Sequence, residues 1–281
     1  MNHLNNLTDV EKFISTTDLT SLKRDELLEL NLITDELKRR KLQGECRENF
    51  LTFVRTMWSS FIEGAHHRIM CEQFNKIAKG ELKRVIINMA PRHSKSEMSS
   101  YMLPSWLLGI RPDLKIIQAT HTGELAVRFG RKVRDLVDTK EYKEIFPNVS
   151  LRADSKAAGR WETTEGGEYF ASGVGGAITG RGADILIIDD PHSEQDALSE
   201  TAMEMAYEWY TSGPRQRLQP GGVIILVMTR WSKKDLTGQL LKAQMSDLKA
   251  DKWELIEFPA IMPSGKPVWE EFWKIEELEG I

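Results

Sequence analysis

What most restricts the fold is a set of short, continuous apolar runs separated by helix-length segments. Asp184-Ile-Leu-Ile-Ile and Val223-Ile-Ile-Leu-Val-Met are the two most hydrophobic runs, and Arg84-Val-Ile-Ile-Asn-Met-Ala and Lys115-Ile-Ile-Gln-Ala-Thr have the same character. A strand buried on both faces reads this way, whereas a strand with one wet face alternates apolar and polar residues. Helical patterns over Ser96 to Leu108, Gly123 to Val137 and Ser199 to Thr211 lie between the runs. Strands alternating with helices of this length predict an α/β fold, a mostly parallel sheet with helices on both faces. Trp161 to Ala171, broken at Gly166-Gly167, reads as a hairpin inserted between the parallel units.

Before the first strand, leucine and isoleucine residues from Ser21 to Gln43 recur at roughly helical spacing, and further helices are expected over Arg47 to Ile62 and His67 to Lys79. The expected organisation is an amino-terminal helical segment over 1–48, an α/β core over 49–258, and a Pro- and Trp-containing stretch over 259–281 that reads as a linker leading away from the core. With 38 Lys and Arg against 42 Asp and Glu, the formal charge is −4. No global positive field marks a nucleic-acid binder, so any such contact is a local patch. Lys38-Arg39-Arg40-Lys41 is one basic cluster, which reads either as a DNA contact or, the more ordinary reading, as a solvated helix end. Cys46 and Cys71 form no C-x-x-C pair, which argues against a zinc site or a disulfide framework and fits a reducing setting. The polar amino terminus and the short apolar runs predict neither an export signal nor a membrane span.

The strongest chemical signal is Ala90-Pro-Arg-His-Ser-Lys-Ser-Glu, placed between a predicted strand and a predicted helix. A phosphate loop needs that context, because backbone N–H groups and a helix start converge on the phosphates while a Lys and a hydroxyl complete the site. Lys95 and Ser96 hold those two positions, but Met89 and Ser94 stand where the two glycines of G-x-x-x-x-G-K-[ST] belong. Alone, the segment reads equally as a Lys-Ser helix start without ligand. Asp189-Asp190 at the end of an apolar strand has the form of a magnesium-binding Walker B element, although paired acids also cap turns. Two strand termini in one parallel sheet bring Lys95 and Asp189 to the same carboxyl edge.

Pro91-Arg-His-Ser-Lys-Ser-Glu, the run from Gly173 to Asp189-Asp190-Pro191-His192, and Met228-Thr-Arg-Trp, in that order, resemble the large terminase subunits of tailed bacteriophages. The resemblance covers roughly Phe50 to Trp269. It implies a P-loop NTPase of the RecA-like (ASCE) class that hydrolyses ATP with magnesium and moves double-stranded DNA into a procapsid. Implied partners are the portal protein, a small terminase subunit and further copies in a homo-oligomeric ring, with a monomer in isolation and a host-cytoplasm setting. Family members carry a nuclease domain after the ATPase, which this chain is too short to include, so no nuclease activity is expected of it.

Carried over by position, Pro91, Arg92, His93 and Ser94 form the loop, Lys95 binds the β/γ-phosphates, and Ser96 and Asp189 hold magnesium. The family has Gly where this chain has Ser94. Asp190 occupies the place of the catalytic Glu, with Glu194 as competing base, and Thr229 matches the coupling motif. Arg92 is expected on phosphate or on a neighbouring carboxylate. Arg128, Arg131 and Arg134 share a helix face. They read either as a solvated basic surface or, Arg131 foremost, as the arginine finger of a neighbouring subunit, with Arg181 as another choice. The five glycines of Ser172 to Gly182 read as a mobile loop near DNA or a neighbour. His66 and His67 are either filler or an adenine seat. Two rival functions remain: a helicase core, from the D-E-x-H-like Asp189 to His192, and a non-catalytic nucleotide-binding scaffold, from Ser94.

Overall fold

In the computed structural model the described residues are 4–178 and 180–280. The first three residues of the polar amino terminus, Thr179 of the glycine-rich run and Ile281 lie outside them. Helices α1 (Leu7–Thr16), α2 (Arg24–Glu48), α3 (Phe50–Met57) and α4 (Ala65–Ala78) precede the sheet. The chain continues through β1 (Arg84–Met89), α5 (Leu103–Ile110), β2 (Lys115–Thr120), α6 (Gly123–Val137) and α7 (Lys140–Ile145). Next come β3 (Leu151–Ala157), β4 (Arg160–Thr163), β5 (Glu168–Gly173), β6 (Ala183–Asp189) and α8 (Glu200–Ser212). Then follow β7 (Leu218–Met228), α9 (Leu236–Ser246), β8 (Glu254–Phe258) and α10 (Ile275–Glu279).

The strands form one sheet in the order β3-β4-β5-β2-β6-β7-β1-β8. Neighbours from β5 to β8 are all parallel, and β3 and β4 add an antiparallel edge. This is the expected α/β class, and the apolar runs explain it. Val85 and Ile87 pack into a layer with Phe53 of α3, Phe74 of α4 and Trp106 of α5, whereas Ile86 packs into a second layer with Tyr210 of α8 and Leu240 of α9. Both faces of the central strands are therefore dry.

Three expectations need correction. Trp161 to Ala171 does form antiparallel β4 and β5, but β5 also pairs in parallel with β2 and a third strand, β3, joins outside. The helix expected over Arg47 to Ile62 is shorter, because Asn49 ends α2 and caps α3, its side chain accepting the Thr52 N–H at 3.0 Å. The stretch after Phe258 does not lead away. Trp269 is 6% exposed, its ring 4.9 Å from His67 and 6.4 Å from His93, and Trp273 stacks on His93 at 5.9 Å. Two large aromatic side chains remove too much apolar surface to stay in solvent when a wall of rings is at hand.

At the other end, α1 and α2 share a small core of Leu4, Val10 and Leu30, separate from the two sheet layers. The basic cluster on α2 is partly neutralised there, since Arg39 and Arg40 both pair with Glu36.

Candidate active site

β1, β7 and β6 lie side by side and parallel, so their carboxyl ends open onto one edge. β1 leads into a loop with two left-handed non-glycine residues, Arg92 (φ 59°) and Ser94 (φ 61°), and the chain then enters a π-helical stretch, Glu97–Met102. β6 ends at Asp189 and is followed by Asp190, left-handed at φ 42°. β7 runs out at Thr229. Between these ends lies a cleft of about 770 Å³, lined by Pro91, Lys95, Asp190, Glu194 and Thr229 among others.

The loop and the paired acids touch directly. Ser96 Oγ donates to Asp189 Oδ1 at 2.9 Å, and Lys95 Nζ pairs with Asp190 Oδ2 at 2.9 Å. Asp189 is 1% exposed, and its second oxygen accepts from Ser100 Oγ at 2.7 Å. Ser100 in turn accepts from Gln118 Nε2 of β2 at 3.0 Å. Burial, and then the charge of Asp190, push the Asp189 carboxyl up to about 7. A desolvated carboxylate beside a second acid and a serine hydroxyl is a set of hard oxygen donors, which fits magnesium. Among the described residues no group of three or more His, Cys, Asp or Glu could hold a metal ion. Magnesium sites that complete their coordination with phosphate and water need no such cage.

Asp190 is held differently. Its Oδ1 accepts the Thr229 N–H at 2.8 Å, its own N–H donates to Val227 at 2.9 Å, and its carbonyl accepts from His121 N–H at 3.2 Å. Thr229 Oγ1 donates to the Met89 carbonyl at 3.3 Å, so Thr229 ties the end of β7 to both the acid and the strand before the loop. Glu194 is exposed on the cleft wall.

Other expected residues stand elsewhere. Arg92 is exposed and makes no ion pair with a carboxylate among the described residues, which leaves phosphate, the other expected partner, as the reading for it. His93 is 1% exposed, and its ring packs with Trp269 and Trp273 while Nδ1 binds the Pro91 carbonyl at 2.7 Å. On α6, Arg128 and Arg131 are exposed, whereas Arg134 pairs with Asp135 at 2.7 Å. Arg181 pairs with Glu168 and lies over the Phe170 ring. Two described residues of the glycine-rich run are tied to the core: Ile178 is 4% exposed in the second layer, and the Gly176 carbonyl accepts from Trp209. His192, the last residue of the helicase-like signature, accepts the Leu236 N–H at 2.9 Å and so fixes the start of α9.

Two residues, Ser100 and Gln118, and the contact that His67 makes are not foreseen from the sequence. Ser100 lies four residues after Ser96, a spacing that puts both hydroxyls on one helical face and would have flagged it. Gln118 has no such signal. His67 touches Ser94, and the serine at a glycine position was the clue.

No protein-family model matches the sequence, and no curated protein matches it. Two phage large terminases are similar to it in structure. The crystal structure of the HK97 bacteriophage large terminase is similar at 12% identity and a TM-score of 0.45, covering 75% of this chain and 46% of that one. A mutant ATPase domain of the Thermus phage P74-26 large terminase is similar at 14% identity and a TM-score of 0.42, covering 70% of this chain and 82% of that one. The match thus spans less than half the length of the HK97 protein.

Proposed function

We propose that this chain is the ATPase motor domain of a phage large terminase, hydrolysing ATP to drive double-stranded DNA into a procapsid. The observation that carries the ATPase reading is the double pairing of Ser96 with Asp189 and Lys95 with Asp190 on one sheet edge, 93 residues apart in sequence for the first pair. The terminase reading rests on the three ordered segments around Pro91, Gly173 and Met228.

In this reading the loop backbone cradles the phosphates and Lys95 binds the β/γ oxygens. Ser96 and Asp189 would hold magnesium, which when bound neutralises charge on the transferred phosphoryl group. Lys95 and the Thr229 N–H occupy both oxygens of Asp190, and an occupied carboxylate is a poor base. A phosphate that draws Lys95 to itself frees Asp190 Oδ2 to orient the attacking water. Glu194, on the same cleft wall, is the second choice for that task. Arg131, exposed on α6, is the residue offered to a neighbouring copy as an arginine finger. The portal and a small terminase subunit complete the working assembly.

The chain is proposed to cut no DNA. A two-metal nuclease needs converging carboxylates, and the later acids serve structure: Asp235 caps α9 and pairs with Arg230, and Asp251 pairs with Arg84 and Arg215. The test is phosphate release from ATP with magnesium. Wild-type protein turns over, and Lys95→Ala loses at least about 10²-fold. Unchanged turnover in that variant removes the assignment, and strand displacement by the wild type would favour a helicase instead.

A further inference from the structure

The phosphate loop bends left-handed at Ser94, where a Cβ meets steric resistance that glycine avoids. Such a conformation persists only where surrounding structure imposes it. Here the imposing group is His67, from α4, and the hydrogen bonds settle which nitrogen carries the proton. Nδ1 accepts the Gly64 N–H at 2.9 Å, which leaves Nε2 as the donor. Nε2 stands 2.5 Å from Ser94 Oγ, and that hydroxyl donates onward to the His93 carbonyl at 2.6 Å. The relay runs from the start of α4 into the backbone of the loop, with every donor assigned one acceptor.

The imidazole cannot wander. It is fully buried, 3.8 Å centroid to centroid from His66, 4.9 Å from Phe61, and 4.9 Å from Trp269, which meets it edge-on at 89°. Burial, and then the neighbouring His66, push its pKa down to about 3, so it stays neutral and keeps the tautomer that the relay needs.

We propose that His67 is a positioning residue for the phosphate loop: its imidazole latches the Ser94 hydroxyl and holds the loop in the phosphate-binding shape that glycine would adopt unaided. Ser94 is therefore a substitution with its own support, and not a decayed glycine. This inference rests on the reading of the cleft as a nucleotide site.

Calorimetric titration of ADP with magnesium into the purified protein tests it. Left-handed backbone disfavours a residue with a Cβ by about 5- to 30-fold in population. Ser94→Ala, which keeps the Cβ and loses the hydroxyl, should weaken binding about tenfold. Ser94→Gly should bind at least as tightly as wild type. His67→Ala should weaken binding as Ser94→Ala does, with His67→Gln recovering part, and in Ser94→Gly protein the same His67→Ala change should shift Kd by less than about twofold. Equal losses from His67→Ala in both backgrounds, or a flat Ser94 series, overturn the latch. Lys95→Ala serves as the control. If it abolishes binding while the Ser94 series is flat, the latch alone fails; if wild type binds no ADP, the nucleotide reading fails and takes the latch with it.

Discussion

The cleft floor has two halves, built on adjacent residues and opposite in physics. On the Asp189 side the carboxylate is 1% exposed and enclosed by two serine hydroxyls. On the Asp190 side the side chain is 29% exposed and gripped by a lysine and a backbone N–H. Strand geometry produces the contrast. Asp189 is the last residue of β6 and its side chain enters a packed face, whereas Asp190 has left the strand in a left-handed turn. The first environment suits a cation that replaces lost solvation; the second suits a group that exchanges partners during a reaction.

The largest effect should come from the Asp189 side. Asp189→Asn should reduce magnesium-dependent hydrolysis by about 10³-fold, the loss expected when several kcal/mol of charge stabilisation disappears. Its stability should move the other way. A carboxyl raised to about 7 on folding contributes stability that is fully present below its unfolded value and is lost as pH rises through about 7. Without nucleotide or magnesium, Asp189→Asn should therefore melt roughly 3–6 °C above wild type near pH 8, with the gap closing toward about pH 4. A variant that melts lower at both pH values breaks the comparison, because Asp189 would then be an ordinary buried partner of Ser96 and Ser100.

The Asp190 side comes next. Asp190→Asn should lower turnover by about 10²- to 10⁴-fold while nucleotide affinity is retained, and Glu194→Gln should cost less than about tenfold. Single-turnover hydrolysis alongside nucleotide titration separates the two. Should Glu194→Gln prove the more damaging, Asp190 is only a resting partner for Lys95 and the two acids exchange roles.

The smallest effect belongs to the tie between the halves. Thr229→Val removes the hydroxyl bond to Met89 but leaves the N–H bond to Asp190, so the loss should be worth about 0.5–1.5 kcal/mol, a few-fold in turnover. Steady-state rates with and without DNA would show whether that loss falls on chemistry or on its coupling to DNA.

How much of this was legible follows from the range of each interaction. The central strands β1, β2, β6 and β7 were readable because a doubly buried strand leaves a local signature, and α6 was read to both ends. β3, Leu-Arg-Ala-Asp-Ser-Lys-Ala, was missed because an edge strand needs little apolar content and carries no such signature. That Lys95 and Ser96 meet Asp189 and Asp190 was legible, because topology brings two strand ends to one edge. The contacts of His67, Ser100 and Gln118 were not, since each is made with a partner at least 18 residues away whose face is decided by packing. The tryptophans after Phe258 misled for a related reason: a Pro-rich stretch looks like a tether until one sees the wall of rings it rests on.

Arg92, Ser94 and Asp190 are the non-glycine residues with positive φ among the described residues, two in the loop after β1 and one just after β6, the two strand ends that meet at this cleft. Each such turn costs about 1–3 kcal/mol and endures only while its surroundings are complete. The consequence concerns the order of assembly. The parallel strands pair through backbone these turns do not supply, whereas the turns draw on several elements at once, Ser94 on α4 and Asp190 on β7. Such a molecule should acquire its shape before its chemistry, and on warming it should surrender them in the reverse order.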